Sequence, residues 1–415
     1  MDINHQPYDG ALGDALIERL ESGDYQQLEF MVAFAKQSGV LRLKPYLEAF
    51  RAAGRSISAF VGIDMDGTSY DALCSLLPLC DELYVVHTES ASQTFHSKVY
   101  AFTGPGSVWA TVASNNLTYS GLWRNFESSA TEVLNLSDPT DAARVERLKS
   151  RFEKLRDVTS SVSMRLFDLA DIDQLLAQGY VRTEFSLNVR TRQREKQEAS
   201  GGPSLFATQV SHPTGPAAPG RPPSGAPAAV PASIVPSPPT VQGIAAWVGE
   251  VFWTESRAMT SPARNQLDLS MLGRVVSGDA ATAGYADRPG WAVGSLSFFG
   301  MDPTAQRTER NVTLSFQGTD YRENRVYFPD SQGANGTWRI QLNGIDSAGL
   351  RLDHRVGTGG FVQKILAFQR IADDYYALTI LDTSQLESIR LASGFVAKNG
   401  SGANGKLYGV FKAVE

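Results

Sequence analysis

Cysteine is nearly absent from this chain: Cys74 and Cys80 are the only two in 415 residues. Two thiols in so long a chain exclude a disulfide framework, and no Cys/His set has the spacing of a zinc site. They read as reduced, buried small hydrophobes of a cytoplasmic protein. Long apolar runs are missing too. None approaches the roughly 18 residues a membrane span needs, so no membrane partner is expected. The opening Met1-Asp2-Ile3-Asn4-His5 is polar and acidic, unlike a signal peptide. Positive charge is in deficit, with 38 Lys and Arg against 44 Asp and Glu and a net charge of −6. That runs against the basic footprint of many nucleic-acid proteins, although a total does not describe local distribution. Lysine disappears altogether between Lys196 and Lys364. Histidine is scarce, and of the five only His96 has a lysine two residues on.

A chain of this length suggests two or three domains of about 150 residues each. A hydrophobic fraction of 42% is ample for real cores. Eleven of the 20 prolines fall between residues 199 and 240, where Arg221 is the only charge. Such a stretch cannot bury a core, and an extended, mobile linker is expected over 196–240. It separates a domain at 1–195 from one at 241–415.

The first part alternates strand and helix patterns. Phe30–Ala35, Ile57–Ile63, Leu83–Val86, Ser97–Phe102, Val108–Ala113 and Ser129–Leu136 read as strands. Leu41–Ala53 and Asp141–Leu155 read as helices. This order predicts an α/β sandwich around a central sheet. Asp64 and Asp66 are read as a loop before a helix rather than a metal pair. His87-Thr88-Glu89 lacks the lysine that follows His96.

Between His96 and Glu127 the chain holds His96-Ser97-Lys98, then Ser114-Asn115-Asn116-Leu117-Thr118, then Asn125-Phe126-Glu127. Alone, His-x-Lys on a strand is usually a surface accident, and Ser-Asn-Asn-Leu-Thr can be no more than a turn. Together they match the needs of attack on a phosphodiester. The anionic oxygens repel a nucleophile unless donors neutralise them. Lys98 offers a point charge, Asn116 a neutral NH₂ donor and Ser114 a further hydrogen bond. His96 can attack through one ring nitrogen if a carboxylate, for which Glu127 is the candidate, holds the other as N–H.

These motifs resemble the phospholipase D superfamily signature, His-x-Lys followed by Gly-Ser-x-Asn-x-Thr, over about residues 25–190. In detail they resemble its nuclease branch, typified by the BfiI and NgoFVII restriction endonucleases. Ala113 stands for the usual glycine, and Thr103 stands where many members carry an aspartate. The second departure points away from the lipid-cleaving branch. The resemblance implies a phospholipase D-like α/β sandwich. It also implies catalysis by His96, Lys98, Asn116, Glu127 and Ser114 through a covalent phosphohistidine, with no metal and no other cofactor. One signature per chain implies a homodimer with a shared site.

Residues 241–415 read as short strands between glycine-bearing turns, predicting a mostly-β barrel or sandwich. Gly394–Gly405 is expected as a surface loop. In the restriction-enzyme branch this position holds a DNA-binding pseudobarrel of the plant B-three type, and Asn324–Pro329 with Gly336–Arg339 is similar in flavour. Arginine suits bidentate contacts to guanine or phosphate, and asparagine to adenine. Arg257, Arg264, Asn265, Arg307, Arg310, Arg322, Asn324 and Arg325 are therefore the candidate DNA contacts, with ordinary surface charge as the competing explanation. The expectation is a metal-independent restriction-type endonuclease acting on double-stranded DNA. Its rivals are an RNA or lipid phosphodiesterase and a DNA-binding defence-complex subunit. Whether a methyltransferase or helicase partner acts with it is left open.

Overall fold

The computed structural model describes residues 1–90, 92–160, 162–198, 250–257, 259, 264–302, 308–328, 337–357, 359–400 and 405–412. They fall into two compact units, one ending at Leu187 and one containing Asn188–Glu198 and the chain from Glu250 onward. The expected linker lies outside the described residues from 199 on, as do Arg307, Pro329 and Gly336.

The first unit begins β1 (Asp2–Gln6), α1 (Leu12–Glu21), β2 (Gln27–Val32), α2 (Gln37–Ala52), β3 (Ser56–Gly62), α3 (Tyr70–Leu76) and β4 (Glu82–Val86). It continues β5 (Lys98–Thr103), β6 (Ser107–Ala113), α4 (Tyr119–Trp123), β7 (Glu127–Asn135), α5 (Pro139–Arg156), β8 (Ser163–Leu166) and α6 (Leu169–Ala177). Helix α7 (Glu184–Glu198) follows.

One mixed sheet holds the eight strands in the order β1-β7-β6-β5-β2-β3-β4-β8. Its central strands β2, β3 and β4 are parallel. Each is buried on both faces, so each is written as an almost unbroken apolar run. The β1 edge is mostly polar, Asp-Ile-Asn-His-Gln, which discourages pairing with a stray strand. One face packs on α1–α4 and α6 through a core that includes Leu47, Phe50, Phe102, Trp109 and Trp123. The other carries α5, whose Phe152 meets Met31, Phe60 and Tyr84. Helix α5 starts sharply because Asp138 accepts from the N–H groups of Thr140 and Asp141, and Pro139 needs no partner. Cys74 and Cys80 are buried and unpaired, and burial pushes both thiols up to about 12.

The second unit is mostly β. Its strands open with β9 (Glu250–Glu255), β10 (Gln266–Asp268), β11 (Leu272–Gly278), β12 (Ala286–Arg288) and β13 (Trp291–Val293). After α8 (Ser295–Phe298) come β14 (Glu309–Phe316), β15 (Thr319–Tyr327), β16 (Arg339–Gln341) and α9 (Leu352–Val356). The chain ends with β17 (Lys364–Ala372), β18 (Tyr375–Asp382), α10 (Leu386–Ala392), β19 (Phe395–Asn399) and β20 (Lys406–Lys412). The twelve strands form one sheet, antiparallel apart from the β14–β18 pair. Phe252, Phe298, Phe299, Tyr376 and Tyr408 make an aromatic centre. Strand β19 lies inside the span expected as a loop; Phe395-Val396-Ala397 is buried and pairs with both β11 and β20. No helix among the described residues is long and apolar enough to cross a membrane.

Candidate active site

The topology gathers the signature at one end of the first sheet. Parallel strands β2, β3 and β4 all finish there. Strand β5 runs antiparallel to β2 and begins there, with Lys98 opposite Val32. Strand β6 ends there at Ala113, and β7 starts there at Glu127. His96, Lys98, Ser114, Asn116 and Glu127 therefore share an edge although 31 positions separate the first from the last.

Alternation along Ser114–Thr118 decides which of those residues are structural. Asn115 turns inward; its NH₂ donates to the carbonyl of Gly121 (2.7 Å) and to Gln6 Oε1 (3.3 Å). Leu117 is buried, and its backbone bonds Phe34 and Lys36, docking this loop on the one after β2. The Thr118 hydroxyl caps α4 by accepting from Gly121 N–H. Ser114 and Asn116 are left on the other side. Asn116 Oδ1 accepts the Phe34 N–H (3.1 Å). A backbone N–H only donates, so the amide oxygen faces it and the NH₂ group points elsewhere, able to donate to an anion.

Lys98 is 6% exposed and its ammonium lies against the nucleophile candidate. Nζ is 2.8 Å from His96 Nδ1 and 3.2 Å from Nε2, and it donates to the His96 carbonyl (3.0 Å). Burial pulls the lysine below its usual range, and the charge of Glu127 works the other way. The edge of the His96 ring meets Phe34, with centroids 5.7 Å apart. The Glu127 carboxylate accepts from the Ser114 hydroxyl and from Asn125 Nδ2 (3.2 Å). It makes no hydrogen bond to His96 among the described residues, so the expected orienting contact is not present in this chain. The β6–β7 register explains the choice: Ser114 and Ser128 exchange backbone and hydroxyl bonds, which brings the Ser114 oxygen beside Glu127.

Two residues set aside in the sequence reading adjoin this site. Asp64, at the end of β3, accepts the Phe95 N–H (2.8 Å) and lies 2.6 Å from His87 Nδ1. No local motif announces the pair; only the strand order brings the ends of β3 and β4 under the His96 segment.

The expected DNA contacts divide sharply. Asn265 and Asn324 are buried and cannot reach a base edge. Asn265 donates to Asp353 Oδ2 (3.1 Å). Asn324 donates to the carbonyls of Val312 and Tyr321 and accepts from Gly344 N–H, tying a turn together. Arg310 is spent on the carbonyls of Phe299 (3.3 Å) and Asp373 (2.7 Å). Arg257 pairs with Glu255, and Arg325 pairs with Glu309 while lying over Tyr327. Arg264, Arg322 and Arg325 are exposed.

No family model matches this chain, and neither does any curated protein. Among solved structures, the chain is similar to the polyphosphate kinase from Porphyromonas gingivalis, at 18% identity and a TM-score of 0.29. That match covers 40% of this chain and only 24% of the kinase. It is similar to NucT from Helicobacter pylori at 14% identity, covering 37% of this chain and 92% of that one, with a TM-score of 0.28. A phospholipase D family member, Nuc from Salmonella typhimurium, matches at 14% identity over 40% of this chain and 97% of its own, with a TM-score of 0.28. Likenesses this weak establish neither a family nor an activity.

Proposed function

We propose that this chain is a phosphodiester hydrolase of phospholipase D type, acting on double-stranded DNA as a restriction-type endonuclease. The observation that carries the reading is the gathering of His96, Lys98, Asn116, Ser114 and Glu127 at one sheet edge, with Lys98 Nζ 2.8 Å from the His96 ring. A His96 ring nitrogen attacks phosphorus, and the bond to the leaving oxygen breaks in line. Lys98 and the Asn116 NH₂ group carry the charge that develops on the phosphoryl oxygens. Water then attacks the phosphohistidine, releasing the phosphate end and restoring His96. Glu127, through Ser114 and its field at Lys98, keeps the lysine charged. No step requires a metal ion.

The leaving oxygen needs an acid on the far side of phosphorus. One His-x-Lys occurs per chain, so His96 of a second copy is assigned that part in a homodimer. A second copy also has a surface to cover. Ile3, Ala130, Val112 and Val99 form one row across β1, β7, β6 and β5, near the site but on the face opposite Lys98. Ile3 and Val112 are 61% and 63% exposed, an apolar row that a partner would bury. The second unit is assigned to choosing the sequence, with Arg264, Arg322 and Arg325 as its exposed candidates.

Offering plasmid DNA, RNA, phospholipid vesicles and a bis-aryl phosphodiester side by side tests the substrate. The reading expects turnover of DNA and of the aryl ester. Turnover of lipid or RNA without DNA would replace it with another phosphodiesterase, and no turnover of any would leave a binding subunit. Solution mass with and without DNA should be that of two chains; a monomer under both conditions contradicts the shared site.

A further inference from the structure

We propose that Asp64 is a positioning residue for His96, acting through Phe95 and itself held by His87; this rests on the reading of His96 as the nucleophile. The need arises because His96 is not in a strand. Strand β5 begins at Lys98, and residues 93–97 have no regular structure, so no ladder of hydrogen bonds fixes the histidine. Beyond the Lys98 ammonium and the Phe34 ring that touch it, its place depends on what holds its neighbour.

Phe95 is held twice. Its ring packs on the cluster of Met31, Phe60, Tyr84 and Val86. Its N–H donates to Asp64 Oδ2 at 2.8 Å. The end of β3 is shaped for this: a Cβ on Gly62 would sit 3.0 Å from Phe95 Cδ1 and 2.6 Å from the Ala33 carbonyl oxygen. Glycine there lets the Phe95 ring settle on the strand.

Asp64 is only 8% exposed, so its carboxylate must be satisfied within the protein. Phe95 N–H serves one oxygen, and His87 Nδ1 lies 2.6 Å from the other. A carboxylate only accepts, so Nδ1 carries the hydrogen. His87 is fixed in turn at the end of β4. Its backbone N–H donates to the Val162 carbonyl (2.9 Å), and its ring makes a T-shaped contact with Tyr180 at 5.3 Å. Its Nε2 lies 3.8 Å from Glu89, whose carboxylate takes the Tyr180 hydroxyl at 2.6 Å. The ends of β3 and β4 thereby place a histidine that belongs to neither. An attacking group displaced by about 1 Å loses on the order of 100-fold in rate, so such support has catalytic weight.

The test compares Asp64→Ala, which removes the acceptor, with Asp64→Asn, whose amide oxygen still accepts from Phe95. Alanine should lower kcat about 10- to 100-fold with KM nearly unchanged, and asparagine should recover most of the loss. In the same proteins, imidazole NMR signals of His96 should move or broaden in Asp64→Ala and return in Asp64→Asn. A folded Asp64→Ala with wild-type kcat and an unmoved His96 signal would overturn the proposal. The signal is read without substrate, so it separates this proposal from failure of the nuclease reading, which would show as an inert wild type. If Asp64→Ala does not fold, hydrogen exchange in the wild type decides. Phe95 N–H should be protected well beyond Thr94 and His96; equal exchange of all three would refute the anchor.

Discussion

At the residue scale, the proposed activity rests on charge kept in a nearly closed place. Lys98 sits below the usual lysine range because burial penalises its ammonium, and Glu127 offsets part of that. The sign of the pH effect follows. In the proposed role Lys98 clamps phosphate only while protonated, so kcat/KM should fall on the alkaline side earlier than an ordinary lysine would allow. Glu127→Gln removes the opposing charge and should bring that fall to lower pH. Lys98→Arg should carry it to higher pH, at a lower plateau, because arginine keeps its proton but not the lysine geometry. A pH profile unchanged in both variants would remove Lys98 from the chemistry. The same scale shows where composition misleads. Asn265 and Asn324 look like base readers by type, but burial commits their amides to partners inside the fold, and no property of the residue itself distinguishes the two uses.

At the element scale, helix α5 is fastened to the sheet by two arginines: Arg144 pairs with Glu132 of β7, and Arg156 holds three carboxylates. Arg156 donates from Nη2 to Glu29 (2.7 Å), from Nε to Glu82 (2.8 Å) and from Nη1 to Glu153 (2.8 Å). Burial tends to raise the Glu82 carboxyl, but the hydrogen bond and charge of Arg156, the Ser58 hydroxyl and the charge of Arg165 together hold it below its usual 4.5. A carboxyl depressed on folding contributes stability above its unfolded pKa and loses it as pH falls through the folded value. Thermal melts should therefore drop in stability as pH falls below about 4.5. Arg156→Met should cost about 3 kcal/mol at pH 7, since Glu29 is left buried and unpaired, and should flatten the acid dependence. Equal acid sensitivity in both proteins would show that the cluster is not responsible.

Elements were legible where pattern and burial coincide. The apolar runs of β2, β3 and β4 and the periodic faces of α2 and α5 stood out within a few residues of their ends. Strand β1 did not, because a polar edge strand carries no apolar signal. Strand β19 did not, because Gly394 and Gly400 bracket a segment too short to outweigh them.

At the scale of the whole molecule, the signature was readable as chemistry, yet its support was not. His96, Lys98, Ser114 and Asn116 lie within 21 positions and could be seen together. Asp64 and His87 come close to His96 only through the order β5-β2-β3-β4, which places their strand ends beneath the His96 segment. Pairing between distant strands is a property of the fold, and a single sequence does not state it. Glu127, proposed from its spacing as the partner of His96, is hydrogen-bonded to Ser114 and Asn125 instead, since the β6–β7 register that gives it Ser114 is likewise set by tertiary pairing. The central claim is that His96 cleaves DNA without a metal. Plasmid DNA incubated in EDTA with the wild type and with His96→Ala, beside a binding assay on the same DNA, tests it most directly. The account predicts cutting by the wild type, none by the variant, and equal binding by both; a wild type that EDTA silences, or a variant that still cuts, would contradict it.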